Sequence, residues 1–267
     1  MRFTIFLPLV FALSVFWTGA ANADKNQAKE EFQAGVTAFQ KGDLKLARTQ
    51  FLEALKQDPN EVVVLYNLGL TEQRAGRNGL AMGIWRKALA LSPGFYPAEK
   101  SLTWTRGKLE KADIPHDVEF WETLRSSVLT DLSMEKFEAL TVILFSIFLW
   151  LALGYVGRRR RAILDEKPLP APPFAASIVG VIFLVIGLLT LAKAVDIQDT
   201  RATVIAKKVE ARALPEAGAT VLFDLYEGLE VVVRGSRQGW IQVTYPGGAT
   251  GWVTRSSVFT TADRLAP

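Results

Sequence analysis

The sequence predicts a multidomain membrane protein built from α-helical hairpins, a transmembrane helical hairpin and a small all-β barrel. Three observations carry that prediction. Residues 28–61 align with residues 62–95 at a fixed period of 34. Two runs, 139–156 and 174–192, contain no charged residue. Residues 198–262 then switch to short alternating runs punctuated by glycine. A chain of 267 residues exceeds one typical domain, so two small domains joined by connecting elements is the natural division.

The 34-residue period fixes the first domain. Gly35 meets Gly69, Gly42 meets Gly76, Ala47 meets Ala81, and Phe51 meets Trp85. Ala54-Leu55 meets Ala88-Leu89, and Pro59 meets Pro93. Small residues at 35, 47, 69 and 81 allow two helices of a hairpin to approach. Gly42 and Gly76 end the first helix of each pair. Phe51 and Trp85 are expected between hairpins, and the prolines punctuate the exits. Leu44, Ala47, Phe51, Ala54 and Leu55 form one apolar helical stripe. The pattern resembles the tetratricopeptide repeat (TPR), a helix–turn–helix unit. On that reading residues 24–111 form a TPR domain, and residues 97–111 cover its open end with Leu102, Trp104 and Leu109. The first helices of such units line a concave face. Here that face offers Phe32, Val36, Phe39, Tyr66, Asn67, Leu70, Gln73 and Arg74 as candidates for binding a peptide or partner helix, with Asn67 and Arg74 placed to grip a backbone or carboxylate. Several of these eight are equally readable as packing residues.

The membrane elements follow from charge. Arg2, the apolar run Ile5–Trp17 and Ala21-Asn22-Ala23 read as a signal peptide over residues 1–23, cleaved before Asp24. Each uncharged run covers about 27–29 Å as a helix, close to a hydrocarbon core of ~30 Å. Residues 139–156 and 174–192 are therefore the expected spans, with Trp150 and Tyr155 at headgroup depth. Gly154, Ala176 and Gly180 are candidate points of close approach. Arg158, Arg159, Arg160 and Arg161 occupy the connecting segment 157–173 and place it in the cytoplasm, with both flanking domains on the extracytoplasmic side of a bacterial inner membrane. The signal peptide requires the same orientation. Residues 112–138 read as a juxtamembrane helix presenting Phe120, Trp121, Leu124 and Val128 to either the lipid surface or the repeat domain.

The third domain, 198–262, alternates through Leu229–Val233 and Trp240–Tyr245. Glu227-Gly228, Gly239-Trp240-Ile241-Gln242-Val243, Gly247-Gly248 and Gly251-Trp252-Val253 resemble the bacterial SH3 (SH3b) family. That resemblance implies a barrel of the kind that binds cell-wall peptides or partner proteins. Trp240 and Trp252 read first as structural, while Tyr226, Trp240 and Tyr245 are the exposed-aromatic candidates for a ligand.

The remaining chemistry is sparse. The chain has no cysteine and one histidine, His116, beside a proline in a connector. No phosphate-binding loop, H-E-x-x-H or dinucleotide fingerprint is present, so no catalytic residue, metal site, cofactor or small-molecule substrate is expected. The formal charge of +4 is concentrated around the membrane, with five basic against two acidic residues in 157–173, so no nucleic-acid face is expected.

The order of signal peptide, two repeat hairpins, arginine-bearing membrane hairpin and SH3-like barrel resembles the BatE family of bacterial aerotolerance operons. The resemblance implies a scaffold in an envelope complex with von Willebrand-type membrane proteins and a MoxR-type ATPase. The competing reading is a protein that binds peptidoglycan through its barrel. An envelope hydrolase is the third and is disfavoured by the missing motifs.

Overall fold

The computed structural model describes residues 26–109, 133–245, 248–262 and 265. The predicted signal peptide, His116 and most of the predicted juxtamembrane helix lie outside the described residues. The helices before the membrane hairpin and the strands after it form one compact unit, and the hairpin forms a second.

The first unit opens with five helices: α1 (26–40), α2 (Leu44–Gln57), α3 (Val62–Arg74), α4 (Asn78–Leu91) and α5 (Tyr96–Leu109). Gly42 and Gly76 sit at φ +81° and +82°, the left-handed backbone that ends a helix and that a side chain strains. Asp43 then starts α2 by accepting from the Leu46 amide at 3.0 Å. The period seen in the sequence is also a repeated contact. A methyl carbon at position 35 would lie 2.6 Å from the Phe51 ring, and one at 69 would collide with the Trp85 indole. Phe51 and Trp85 are fully buried, each against the glycine of its own hairpin. This corrects the expectation that they separate one hairpin from the next. The bare glycine backbone admits a ring this close, and the Trp85 indole also donates to the Tyr66 carbonyl at 3.2 Å.

The barrel contains seven antiparallel strands: β1 (Arg201–Val204), β2 (Lys208–Arg212), β3 (Val221–Tyr226), β4 (Glu230–Arg237), β5 (Trp240–Thr244), β6 (Thr250–Thr254) and β7 (Val258–Thr260). Their order is β3-β2-β6-β5-β4-β1-β7. Alternate residues of β5 and β6 point inward, so Ile241, Val243 and Val253 join Val204, Leu225, Val231 and Val258 in the core. Trp240 and Trp252 alternate outward and are half-buried. Gln238-Gly239 turns β4 into β5 with both residues at positive φ, 45° and 82°, matching the twist of a two-residue hairpin.

The helices and the barrel pack directly against each other, which the sequence reading did not anticipate. Helix α4 lies on β1 and β7. Methyl carbons at Gly79 and Gly83 would fall 2.7 Å from the Val204 carbonyl oxygen and 2.7 Å from the Phe259 ring respectively. These two glycines, one helical turn apart, make the seat for the barrel. Arg86, one turn further on, donates to Thr203 Oγ1 at 2.8 Å and to the Gly228 carbonyl at 3.0 Å. The first turn of α4 has no side-chain cap from its own N-cap residue, Arg77. Glu227 of the barrel supplies one, accepting from the Gly79 amide at 2.7 Å.

The second unit is an antiparallel pair, α6 (Met134–Leu164) and α7 (Phe174–Asp196), both long and apolar enough to cross a membrane. Only 0% and 6% of their most apolar windows are buried, which separates them from the core helices of a soluble protein. Phe148 lies over Gly180, and Phe183 packs against Phe145 and Phe148. The Thr141 and Thr190 hydroxyls meet at 2.8 Å. Ala176 is buried, whereas a methyl carbon at Gly154 would meet nothing closer than Arg158 at 3.7 Å, so the predicted approach at Gly154 is not made. A second correction concerns the arginines. They lie on α6, which continues to Leu164, and only 165–173 is irregular. Arginine is a good helix former, and cations in a last turn oppose the negative end of the helix dipole.

Candidate functional site

The eight candidates of the helical face all make contacts within the helices, seven of them half-buried and Arg74 exposed. Phe32, Val36, Phe39, Tyr66 and Leu70 are half-buried against the helical core. Asn67 donates to the Val63 carbonyl of its own helix at 2.8 Å. Gln73 donates to the buried Thr105 hydroxyl and ties α3 to α5. Arg74 sits 5.2 Å from the centre of the Phe39 ring. A buried charge lies beside them that the sequence reading passed over. Glu72 is 1% exposed and is held by Arg48 at 2.9 Å and by Arg77. Its matching position in the first repeat is the buried Ala38, so a carboxylate at an apolar repeat position was the available signal.

The barrel carries an open groove. Lys208, Val209, Glu210 and Arg212 of β2 form one wall, with Trp240 and Thr254 opposite, around a cavity of about 400 Å³. That volume is at the small end of ligand pockets. The strand pattern explains the wall. Val209 and Ala211 turn toward the core, which leaves Lys208, Glu210 and Arg212 along the outer face, alternating in sign. The groove exists because β2 and β6 separate. They pair at Arg212↔Trp252, where Gly251 lets the backbones close on Ala211, and beyond that pair they diverge.

The charged side chains are positioned by neighbours. Lys208 pairs with Asp224 on β3 at 2.8 Å. The hydrogen bond to that carboxylate, then its charge, raises the Lys208 ammonium above its ordinary 10.5. Arg212 donates to the Ala219 carbonyl at 2.7 Å and pairs with Glu210. Of the three aromatic candidates, Trp240 lines the groove. Tyr226 stands beside Lys208 in the β2–β3 register, and Tyr245 packs against the barrel core. Lys208, Glu210, Arg212 and Thr254 were missed, although the alternation Lys-Val-Glu-Ala-Arg announces a strand with a charged outer face.

Residues 206–258 match the family described as Bacterial SH3 domain. The third domain is therefore an SH3-type barrel over those residues. A search of curated proteins finds no match to the chain.

Proposed function

We propose that this chain is a membrane-anchored adaptor of the bacterial envelope, and not an enzyme, whose SH3-type barrel captures a peptide-bearing envelope ligand in the groove at Trp240. The observation that carries this reading is the groove itself. The β1–β7 side of the barrel is occupied by α4, while the β2–Trp240 side is open and lined with charge and one aromatic ring. An indole beside alternating charges supplies apolar area and orientation together.

The packing of α4 on β1 and β7 supports an even number of crossings, because the domains before and after the spans must then share one side. Arg158–Arg161 at the far end of α6 support a cytoplasmic connection and an extracytoplasmic unit. The TPR assignment rests on the 34-residue period and on the glycine–aromatic contact made twice at that spacing. The BatE resemblance makes von Willebrand-type membrane proteins and a MoxR-type system the protein partners to seek. Peptidoglycan is the second reading, favoured by the bacterial SH3 match.

The test is photo-crosslinking in intact cells. A benzoyl-phenylalanine replaces Thr254 at the groove, or Gln57 on the helices as a control, in the full-length protein. The reading expects a crosslinked envelope component from the groove position that disappears with Trp240→Ala. No adduct at the groove, or one indifferent to Trp240→Ala, contradicts it. Retention of the full-length protein on purified sacculi distinguishes a cell-wall ligand from a protein.

A further inference from the structure

The groove has a property beyond its charges: one of its walls is an open strand edge. In an antiparallel ladder, residues bond alternately to one neighbour and then to the other. Two bonds fix that alternation for β2. The Glu227 amide donates to the Lys207 carbonyl, and the Ala213 amide donates to the Thr220 carbonyl. Odd-numbered residues of β2 therefore bond to β3, and the backbone of Lys208, Glu210 and Arg212 faces the other way. Arg212 finds Trp252 of β6, whereas Lys208 and Glu210 have no strand paired to them on that side among the described residues. Their amides and carbonyls border the groove.

We infer that the ligand binds by strand addition, as an extended all-L peptide pairing with the backbone of Lys208 and Glu210 in the gap between β2 and β6. This rests on the groove reading above and specifies how the groove is used. The unpaired edge is short, about 7 Å from Lys208 to Glu210 at the usual rise per residue, and ends where Arg212 meets Trp252. It therefore takes about three residues of ligand. Backbone pairing supplies the affinity in this mode, and alternate side chains supply the selection. The ligand residues opposite Lys208 and Glu210 are best acidic and basic, because opposite charges across a strand pair attract. Lys208 spends one donor on Asp224 and retains others for a ligand carboxylate. The outward face of Trp240 closes the groove over the added strand. A γ-linked, mixed-chirality stem peptide cannot keep the regular register this edge offers.

The probe is fluorescein-labelled acetyl-Thr-Glu-Val-Lys-Val-Glu-Thr-amide, measured by anisotropy against the full-length protein in detergent micelles. N-methylation of its Glu and Lys residues blocks the amides that face β2, and binding is expected to weaken at least about tenfold. N-methylation of the Val residues blocks amides that face away, and binding is expected to change by less than about threefold. Glu210→Pro removes one edge donor while leaving the β3 ladder intact, and it is expected to weaken binding at least about tenfold. The peptide arm decides the question even if that variant misfolds. Equal binding of the two methylated peptides, no binding of the parent peptide, or preference for a muropeptide overturns strand addition. If Trp240-dependent crosslinks persist in cells in any of those cases, the groove reading stands and only the edge pairing falls.

Discussion

Gly83→Leu tests the contact that joins helices and barrel. Leucine favours a helix over glycine by about 1 kcal/mol, so in an isolated α4 the change stabilises. In the folded unit the new Cβ lies 2.7 Å from Phe259 Cδ1 and 3.4 Å from Thr203 Cβ, before the rest of the side chain is placed. Overpacking of this kind destabilises by about 1–3 kcal/mol. Phe259 is 7% exposed, and expelling its ring loses about 1.5–3 kcal/mol more. The clash therefore wins over propensity, and docking weakens by about 1.5–5 kcal/mol, roughly 10- to 5,000-fold in the equilibrium. The readout is amide exchange at the first turn of α4. The Gly79 amide has no partner there except the Glu227 carboxylate, so its protection reports the docked state. Exchange at residues 78–80 is expected to accelerate by that factor, while the buried centre of α3 is unchanged. Unaltered protection of the first turn in a folded Gly83→Leu protein refutes the reasoning.

Two further outcomes follow from charges at the two ends of the burial scale. Arg48→Ala with Arg77→Ala strands the Glu72 carboxylate, which is 1% exposed, and is expected to destabilise by about 3–5 kcal/mol. Glu72→Leu leaves arginines that are 37% and 49% exposed and still hydrated, so its loss in denaturant unfolding is expected to be much smaller. Lys208 has a raised folded-state pKa, so the stabilisation from Asp224 is complete below its ordinary 10.5 and is lost as pH rises through the folded value. Ligand binding at the groove should therefore be flat between about pH 6 and 9, and a steep change in that window contradicts the assigned charges.

Much of the architecture was legible because it is periodic or unusually apolar. The 34-residue period predicted helix ends at Gly42 and Gly76, and positive φ at both is the physical reason they recur. Two uncharged runs predicted α6 and α7, and the glycine-tryptophan pairs predicted the barrel strands β5 and β6. Long-range geometry was not legible. Gly79 and Gly83 look like ordinary helix glycines until Phe259 and Val204, more than a hundred residues away, are brought against them. The same holds for the groove. Trp240 stood out by type, but Lys208 and Glu210 matter because β6 leaves β2 after Arg212, and no local pattern encodes where two strands part. Asn67, Gln73 and Arg74 show contacts the period does not encode, since each of these polar residues also has a partner within the helices.

The central claim is a single helical-and-barrel unit held on one side of the membrane by two spans. Because the chain has no cysteine, single cysteines report sidedness cleanly. Gln57→Cys on α2, Gln238→Cys in the β4–β5 turn and Ala171→Cys between the spans are all exposed positions. A membrane-impermeant maleimide is applied to cells with a permeabilised outer layer and an intact inner membrane. The account predicts labelling at 57 and 238, with 171 labelled only after the inner membrane is broken. Labelling of 57 and 238 from opposite sides contradicts it.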